Sequence, residues 1–283
     1  MYNAGLILEG GGMRGVYTAG VLDAFLDENV EFSSVYGVSA GSCHACSYLS
    51  KQRGRAFRVN VDYLDDPQYC GIKTYLKTGN FFGAEMLYEK IPNVLDPFDY
   101  REFSKYPGKF YAVVTDVDTG KARYLRVRDL RKQMWMIRAS SSLPLASKTL
   151  VVKGHKLLDG GIADSIPIRR SIADGNRKNV VVLTRDKNYV KGPNRLMPLM
   201  KLRYPRHKEF LAAMENRFIH YNETLDFIKE QEAAGKVFVI RPEVKVEVGR
   251  LEKDRVKLEV LYRQGLHDGR TAMKAMKEYL EKE

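Results

Sequence analysis

Residues 4–51 read AGLILEGGGMRGVYTAGVLDAFLDENVEFSSVYGVSAGSCHACSYLSK, and their pattern decides the fold. Residues 4–9 are an apolar run closed by Gly10, Gly11 and Gly12, the form of a buried strand entering a turn. Across residues 16–29, Val16, Ala19, Leu22, Phe25 and Leu26 recur at helical spacing, with acids along the other side. A second short strand is expected at 32–38 and a second helix at 40–51. Strand, helix, strand and helix in such close order predict an α/β fold, a three-layer α/β/α sandwich around a mostly parallel sheet.

Further strands are expected at 109–117, 122–127, 180–184 and 237–240. Asp118, Thr119 and Gly120 read as a hairpin turn between the first two, so the sheet should be mixed. Helical patterns occupy 128–139 and 208–234, and a charged helical tail begins near Asp254. No linker or repeat interrupts the chain. Residues 1–283 are read as one domain, recognisable over 5–185 and mainly helical over 186–283.

Composition narrows the class. The chain has 283 residues, 44% hydrophobic and 29% charged, which excludes collagenous, low-complexity and disordered proteins. The longest uncharged run, 32–50, contains six serines and two glycines and makes a poor membrane span. The N-terminus has no basic leader, and three cysteines (Cys43, Cys46, Cys70) favour a reducing compartment. A cytoplasmic protein is expected, with peripheral membrane contact as an option. A net charge of +12 favours anionic partners. No nucleic-acid motif accompanies it, so no nucleic acid is expected. Residues 191–208, KGPNRLMPLMKLRYPRHK, hold six Lys/Arg and no acid. Leu196, Met197, Leu199 and Met200 are the residues expected to meet an anionic lipid surface there.

Gly37-Val38-Ser39-Ala40-Gly41 is a G-x-S-x-G between a strand and a helix. Such an elbow needs glycines two positions either side of the serine, where side chains would clash, and lifts the hydroxyl above the sheet edge. Gly10, Gly11, Gly12, Met13, Arg14 and Gly15 form a second strand-to-helix turn, whose exposed N–H groups suit a phosphate or an oxyanion. A dinucleotide site would need an acid at the end of the second strand, and Val38-Ser39 supplies none. Asp159-Gly160-Gly161 is a third, weaker motif.

The three motifs in order, GGGMRG, GVSAG and DGG, resemble the patatin-like phospholipase family, as does the Ala-Ser…Pro segment within 138–144. Ser165 departs from the family, which has Asn there. The resemblance implies a patatin-like fold and a Ser-Asp dyad, with Ser39 as nucleophile and Asp159 as base. It also implies an oxyanion hole from the N–H groups around Gly11, Gly12 and Met13, with Arg14 supporting that loop. The expected activity is hydrolysis of lipid or phospholipid esters through an acyl-enzyme. A non-catalytic lipid- or acyl-binding protein on the same scaffold is the alternative. The oligomeric state is left open.

No cofactor or metal is expected. Cys43-His44-Ala45-Cys46 has a ligand-like spacing, but zinc needs a second pair that Cys70 alone does not make. His44 follows Ser39 by five residues, roughly 140° around its helix. His207, His220 and His267 sit in charged helical patterns, leaving His155 as the one reserve base.

Overall fold

The computed structural model describes residues 1–282. Its strands are β1 (Tyr2–Leu8), β2 (Phe32–Val38), β3 (Lys109–Asp116), β4 (Ala122–Val127), β5 (Leu150–Val152), β6 (His155–Asp159), β7 (Asn179–Val182) and β8 (Phe238–Ile240). The helices are α1 (Val16–Asp27), α2 (Ala40–Leu49), α3 (Arg55–Val61), α4 (Ile72–Thr78), α5 (Tyr100–Ser104), α6 (Leu130–Ser140), α7 (Ile168–Ala173), α8 (Met197–Arg203), α9 (Lys208–Ala233) and α10 (Arg255–Glu281).

Strand alternation sorts the two faces of the sheet. Leu6, Leu8, Val180 and Val182 pack with Val16, Tyr17 and Phe25 of α1 and Leu258, Leu261 and Met273 of α10. Ile7, Val181 and Leu183 turn the other way, onto Tyr221, Leu225 and Ile228 of α9 and Ile168 of α7. A strand apolar on both faces must be covered on both, which gives the three layers. The order is β5-β6-β3-β2-β1-β7-β8, with β4 paired to β3. Strands β1, β2, β3, β7 and β8 run parallel, while β4 and β6 run antiparallel to β3.

One detail of the register positions everything that follows. Strand β4 takes one edge of β3, pairing Phe110 to Thr115. On the opposite edge β2 pairs Lys109 to Val113, and β6 takes over at Val114. Val38 therefore faces Val113 while Asp159 faces Val114. The ends of β2 and β6 meet on consecutive positions of one strand.

The hairpin β5–β6 was not expected from sequence. Its two-residue turn has Lys153 at φ 49° and Gly154 at φ 82°, the left-handed pair that matches strand twist. Helices α3, α4, α5, α7 and α8 also escape periodicity, since each has only five to seven residues. The basic segment needs a correction. Met200 is buried and Met197 packs partly against the same cluster, whereas Leu196, Leu199 and Leu202 are exposed. Among the described residues no helix is long and apolar enough to cross a membrane.

Candidate active site

The turn from β2 to α2 holds Ser39 at φ 53° and ψ −123°, a conformation a serine rarely adopts. Sterics explain its flanks. A Cβ on Gly37 would lie 2.5 Å from the Ser42 Cα, and one on Gly41 2.4 Å from the Leu8 carbonyl oxygen. The strained turn is tied down. The Ser39 N–H donates to the Ser140 hydroxyl (3.0 Å), which donates to the Val113 carbonyl (2.6 Å).

Asp159 ends β6 and is buried. Its Oδ1 accepts the Gly161 N–H at 2.7 Å, while Oδ2 is buried and has no hydrogen-bond partner among the described residues. Burial pushes the carboxyl above its ordinary value, opposed in part by the Ser39 hydroxyl, the Arg217 charge and the Gly161 N–H. Ser39 thus eases the carboxylate's charge, yet no hydrogen bond closes on Oδ2 in the free protein. Ser165 departs from the resembled pattern without leaving a gap: its hydroxyl donates to the Gly161 carbonyl at 2.7 Å.

The glycine turn lies against the serine. A Cβ on Gly10 would come within 2.9 Å of the Ser39 Cβ, and Gly15 abuts Ala40 and His44. Gly12 adopts φ 59°, and its Cα faces the Arg250 carbonyl so closely that a Cβ would sit 2.5 Å from that oxygen. Among the described residues the N–H groups of Gly10, Gly11 and Gly12 find no acceptor. Met13 differs from the expectation: its N–H already donates to the Arg250 carbonyl at 3.1 Å. Arg14 is buried, with its Nε unpartnered.

Ser39 lines two cavities of opposite character. One, of about 140 Å³, is walled by Met13, Cys43, Phe82, Leu87, Ile91 and Met134 among others. The second carries Arg14, Arg185, Lys191, Arg217 and Arg250 around Glu9 and Asp159. Burial, then repulsion among these cations, pulls Lys191 down to about 7 and both Arg14 and Arg217 to about 10.

The histidines fall elsewhere or stay neutral. His155 lies at the far end of β6 from Asp159, against Arg123 and Asp116. His44 lines the apolar cavity but is buried, which lowers it to about 4. Burial raises the Cys43 and Cys46 thiols, so neither is a ready nucleophile. Trp135 is half-buried, and Met136 packs on the main core. Among the described residues no three His, Cys, Asp or Glu side chains gather closely enough to hold a metal ion.

Sequence reading missed Glu9. Its carboxylate accepts from the Thr184 N–H (2.6 Å) and hydroxyl (3.0 Å) and from the Tyr221 hydroxyl (2.5 Å), joining β1, the end of β7 and α9 under the site. A lone acid closing an apolar strand was the available signal. Ser140 sat inside a recognised segment without a role, and four of the five cations are scattered singly through the second half of the chain.

The family model described as patatin-like phospholipase matches residues 6–172, and a domain of unknown function (DUF6363) matches 207–281. An uncharacterized protein, YjjU of Escherichia coli, is 31% identical over 193 residues, 63% of this chain and 51% of its own length. The patatin-like phospholipase domain-containing protein ZK370.4 of Caenorhabditis elegans is 29% identical over 178 residues, 58% of this chain and 12% of its length. The matches thus span about half, or less, of these curated relatives. VipD from Legionella pneumophila shares the fold, with a TM-score of 0.52 at 13% identity over 99% of this chain and 67% of its own. The glycine turn, the serine elbow and the Asp159 turn all lie inside the matched region, and the chain belongs to the patatin-like phospholipase family.

Proposed function

We propose that the protein is a serine acyl hydrolase that cleaves carboxylic esters of lipids. The Ser39 Oγ attacks the ester carbonyl carbon while its proton passes to Asp159 Oδ2. The carbonyl oxygen takes the negative charge, and the free N–H groups of Gly11 and Gly12 stabilise it. The tetrahedral centre collapses, the alcohol leaves with the proton from Asp159, and the acyl group stays on Ser39. Water then attacks the acyl-enzyme and gives a proton to Asp159, which returns it to the Ser39 oxygen as the acid leaves.

The observation that carries this reading is the meeting of Ser39, strained and wedged between two cavities, with a buried carboxylate whose Oδ2 has no partner. Catalytic hydrogen bonds of this kind often tighten only once substrate is bound. The apolar cavity is a fitting place for the acyl chain. Met13 is left out of the donor set, since Arg250 occupies its N–H. We take residues 1–283 to act as one unit and the exposed face around α8 to meet anionic membrane.

A fluorophosphonate probe, with a panel of nitrophenyl esters of increasing chain length, tests the reading. Wild type should label and turn over; Ser39→Ala should do neither. A folded wild-type protein that takes no label and hydrolyses no ester would leave the non-catalytic acyl-binding alternative in its place.

A further inference from the structure

The cavity opposite the apolar one holds five cations against two carboxylates. Several arginines elsewhere find acids: Arg58 with Asp96, Arg123 with Asp116, Arg170 with Asp174, Arg255 with Asp65. In the cleft they do not. Glu9 is committed to Thr184 and Tyr221, and Asp159 bonds Gly161. Arg14 is only 6% exposed, and among the described residues neither its Nε nor that of Arg185, both buried, has an acceptor. Among the described residues Arg217 donates only to the Gly161 carbonyl, while Lys191 rests over the Tyr221 ring. Arg14 is buried and Arg185, Lys191 and Arg217 are half-buried, and gathering such unpaired cations is costly unless an anion completes them.

Position and charge say which anion. Ser39 lines both cavities, so an ester whose acyl chain fills the apolar one directs its alcohol half into the cationic cleft. A single carboxylate would leave most of the excess charge unmet, whereas a phosphate monoester brings about −1.5 to −2 and three acceptor oxygens. Arginine forks match those oxygens bidentately.

We propose that the cleft of Arg14, Arg185, Lys191, Arg217 and Arg250 binds a phosphate on the alcohol half of the ester, making a lipid with an anionic phosphate headgroup the preferred substrate. This substrate class rests on the acyl-hydrolase reading above. Arg185 and Lys191 lie beyond the patatin-like match, and Arg217 and Arg250 lie within the second matched domain, so four of the five cations come from this chain's second half. A choline headgroup would bring its ammonium against the same cations and be disfavoured.

The test is calorimetry on full-length Ser39→Ala, with short-chain ligands that stay monomeric: an acylglycerol phosphate, the matching acylglycerophosphocholine, the neutral acylglycerol, and inorganic phosphate alone. The acylglycerol phosphate should bind at least about tenfold tighter than the other three. Lys191→Gln or Arg250→Gln in that background should erase most of the preference. Arg250 is exposed and makes no side-chain hydrogen bond among the described residues, so its variant spares the fold. Lys191 faces Arg217 and Tyr221 of α9, Arg250 ahead of α10, and Glu9 and Arg14 around the β1 turn. Binding an anion should recharge it, so complex formation takes up a proton and affinity falls as pH rises through about 7. Equal affinity for phosphorylated and neutral ligands overturns the proposal. Inorganic phosphate binding as tightly as the lipid overturns it too, since the cleft would then be a site for the free ion. Wild-type turnover of a nitrophenyl ester, measured alongside, separates the two readings. Turnover without a phosphate preference removes the subsite alone, and preference without turnover removes the hydrolase alone.

Discussion

The main-chain N–H of Ser39 is held at 3.0 Å by the side chain of Ser140, a residue 101 positions away. Ser140 is fully buried at the end of α6, and it hands the link on to the Val113 carbonyl of β3. The elbow is thus pinned to the strand whose next residue, Val114, pairs with Asp159. Replacing Ser140 with Ala leaves two buried backbone groups unpaired, at about 1–3 kcal/mol. Ser140→Ala should lower the urea midpoint and reduce kcat more than it changes KM, because the Ser39 hydroxyl loses its aim. A variant with wild-type kcat despite the lost stability would show that the pin serves folding alone.

Asp159→Asn should separate stability from activity. Burial raises the folded carboxyl above its ordinary 3.8, so the native state holds its proton more tightly than the unfolded chain. Stability from this group is therefore full below the unfolded value and lost as pH rises through the folded one. Above that folded value the ionised Asp159 is a burden, which Asn removes while keeping an oxygen for the Gly161 N–H. The variant should be nearly inactive yet at least as stable as wild type at pH about 7, with the advantage fading in acid. Wild-type kcat/KM should rise with pH along a limb centred above 3.8. His155→Ala should keep its rate within about tenfold, at most about 1.4 kcal/mol of barrier. Collapse in that variant, with Asp159→Asn active, would restore a histidine base.

How far the sequence discloses this site depends on the range of the forces that build it. Strands β1 and β2 and helices α1 and α2 are local patterns, and their ends fall within two residues of expectation, because buried parallel strands are continuous apolar runs. Ser39 was legible since its elbow is a local steric problem. Asp159 was legible only by resemblance. Its strand offers just Leu157 and Leu158 as apolar residues, at an edge hairpin too short to show alternation. Of the cationic cleft, only Arg14 and Lys191 fall in stretches that the sequence singles out, and neither stretch points to the other cations. Arg14, Arg185, Lys191, Arg217 and Arg250 are brought together by long-range packing, which no periodicity records.

The C-terminal helices should prove inseparable from the rest. Helix α10 lies along α1, where the Tyr17 hydroxyl donates to Asp268 and the Tyr262 hydroxyl to Asp23, both at 2.7 Å. Leu258, Leu261, Met273 and Met276 share the main core with α1. Deleting residues 207–283 would uncover that face, and burying each such side chain contributes about 1.5–3 kcal/mol. The deletion should express as insoluble or non-cooperative protein, while the full chain unfolds in one transition by two spectroscopic probes. A truncated chain with its own sharp transition would divide the protein at the boundary of the second family match.

Membrane contact should follow the exposed residues, not the sequence pattern alone. On and beside α8, Leu196, Leu199 and Leu202 are 51%, 52% and 79% exposed, while Met200 turns into the core. Arg195, Arg203 and Arg206 are exposed among them. Leu196 also lines a recess shared with Lys191, Arg217 and Arg250, so this face adjoins the cationic cleft. The two kinds of residue make separable contributions. Each arginine near an anionic surface adds about 1 kcal/mol, screened by salt, whereas leucine insertion adds a part that salt does not weaken. The 283-residue protein should co-sediment with phosphatidylserine-containing vesicles at low salt and only weakly with phosphatidylcholine alone. Changing the three arginines to Gln should remove the salt-sensitive part of binding. Changing the three leucines to Ser should remove the part that survives high salt, with nitrophenyl ester turnover in solution showing that the fold is intact. Binding unchanged in both variants would place the membrane surface elsewhere on the molecule, and no binding of wild type to anionic vesicles would end the idea.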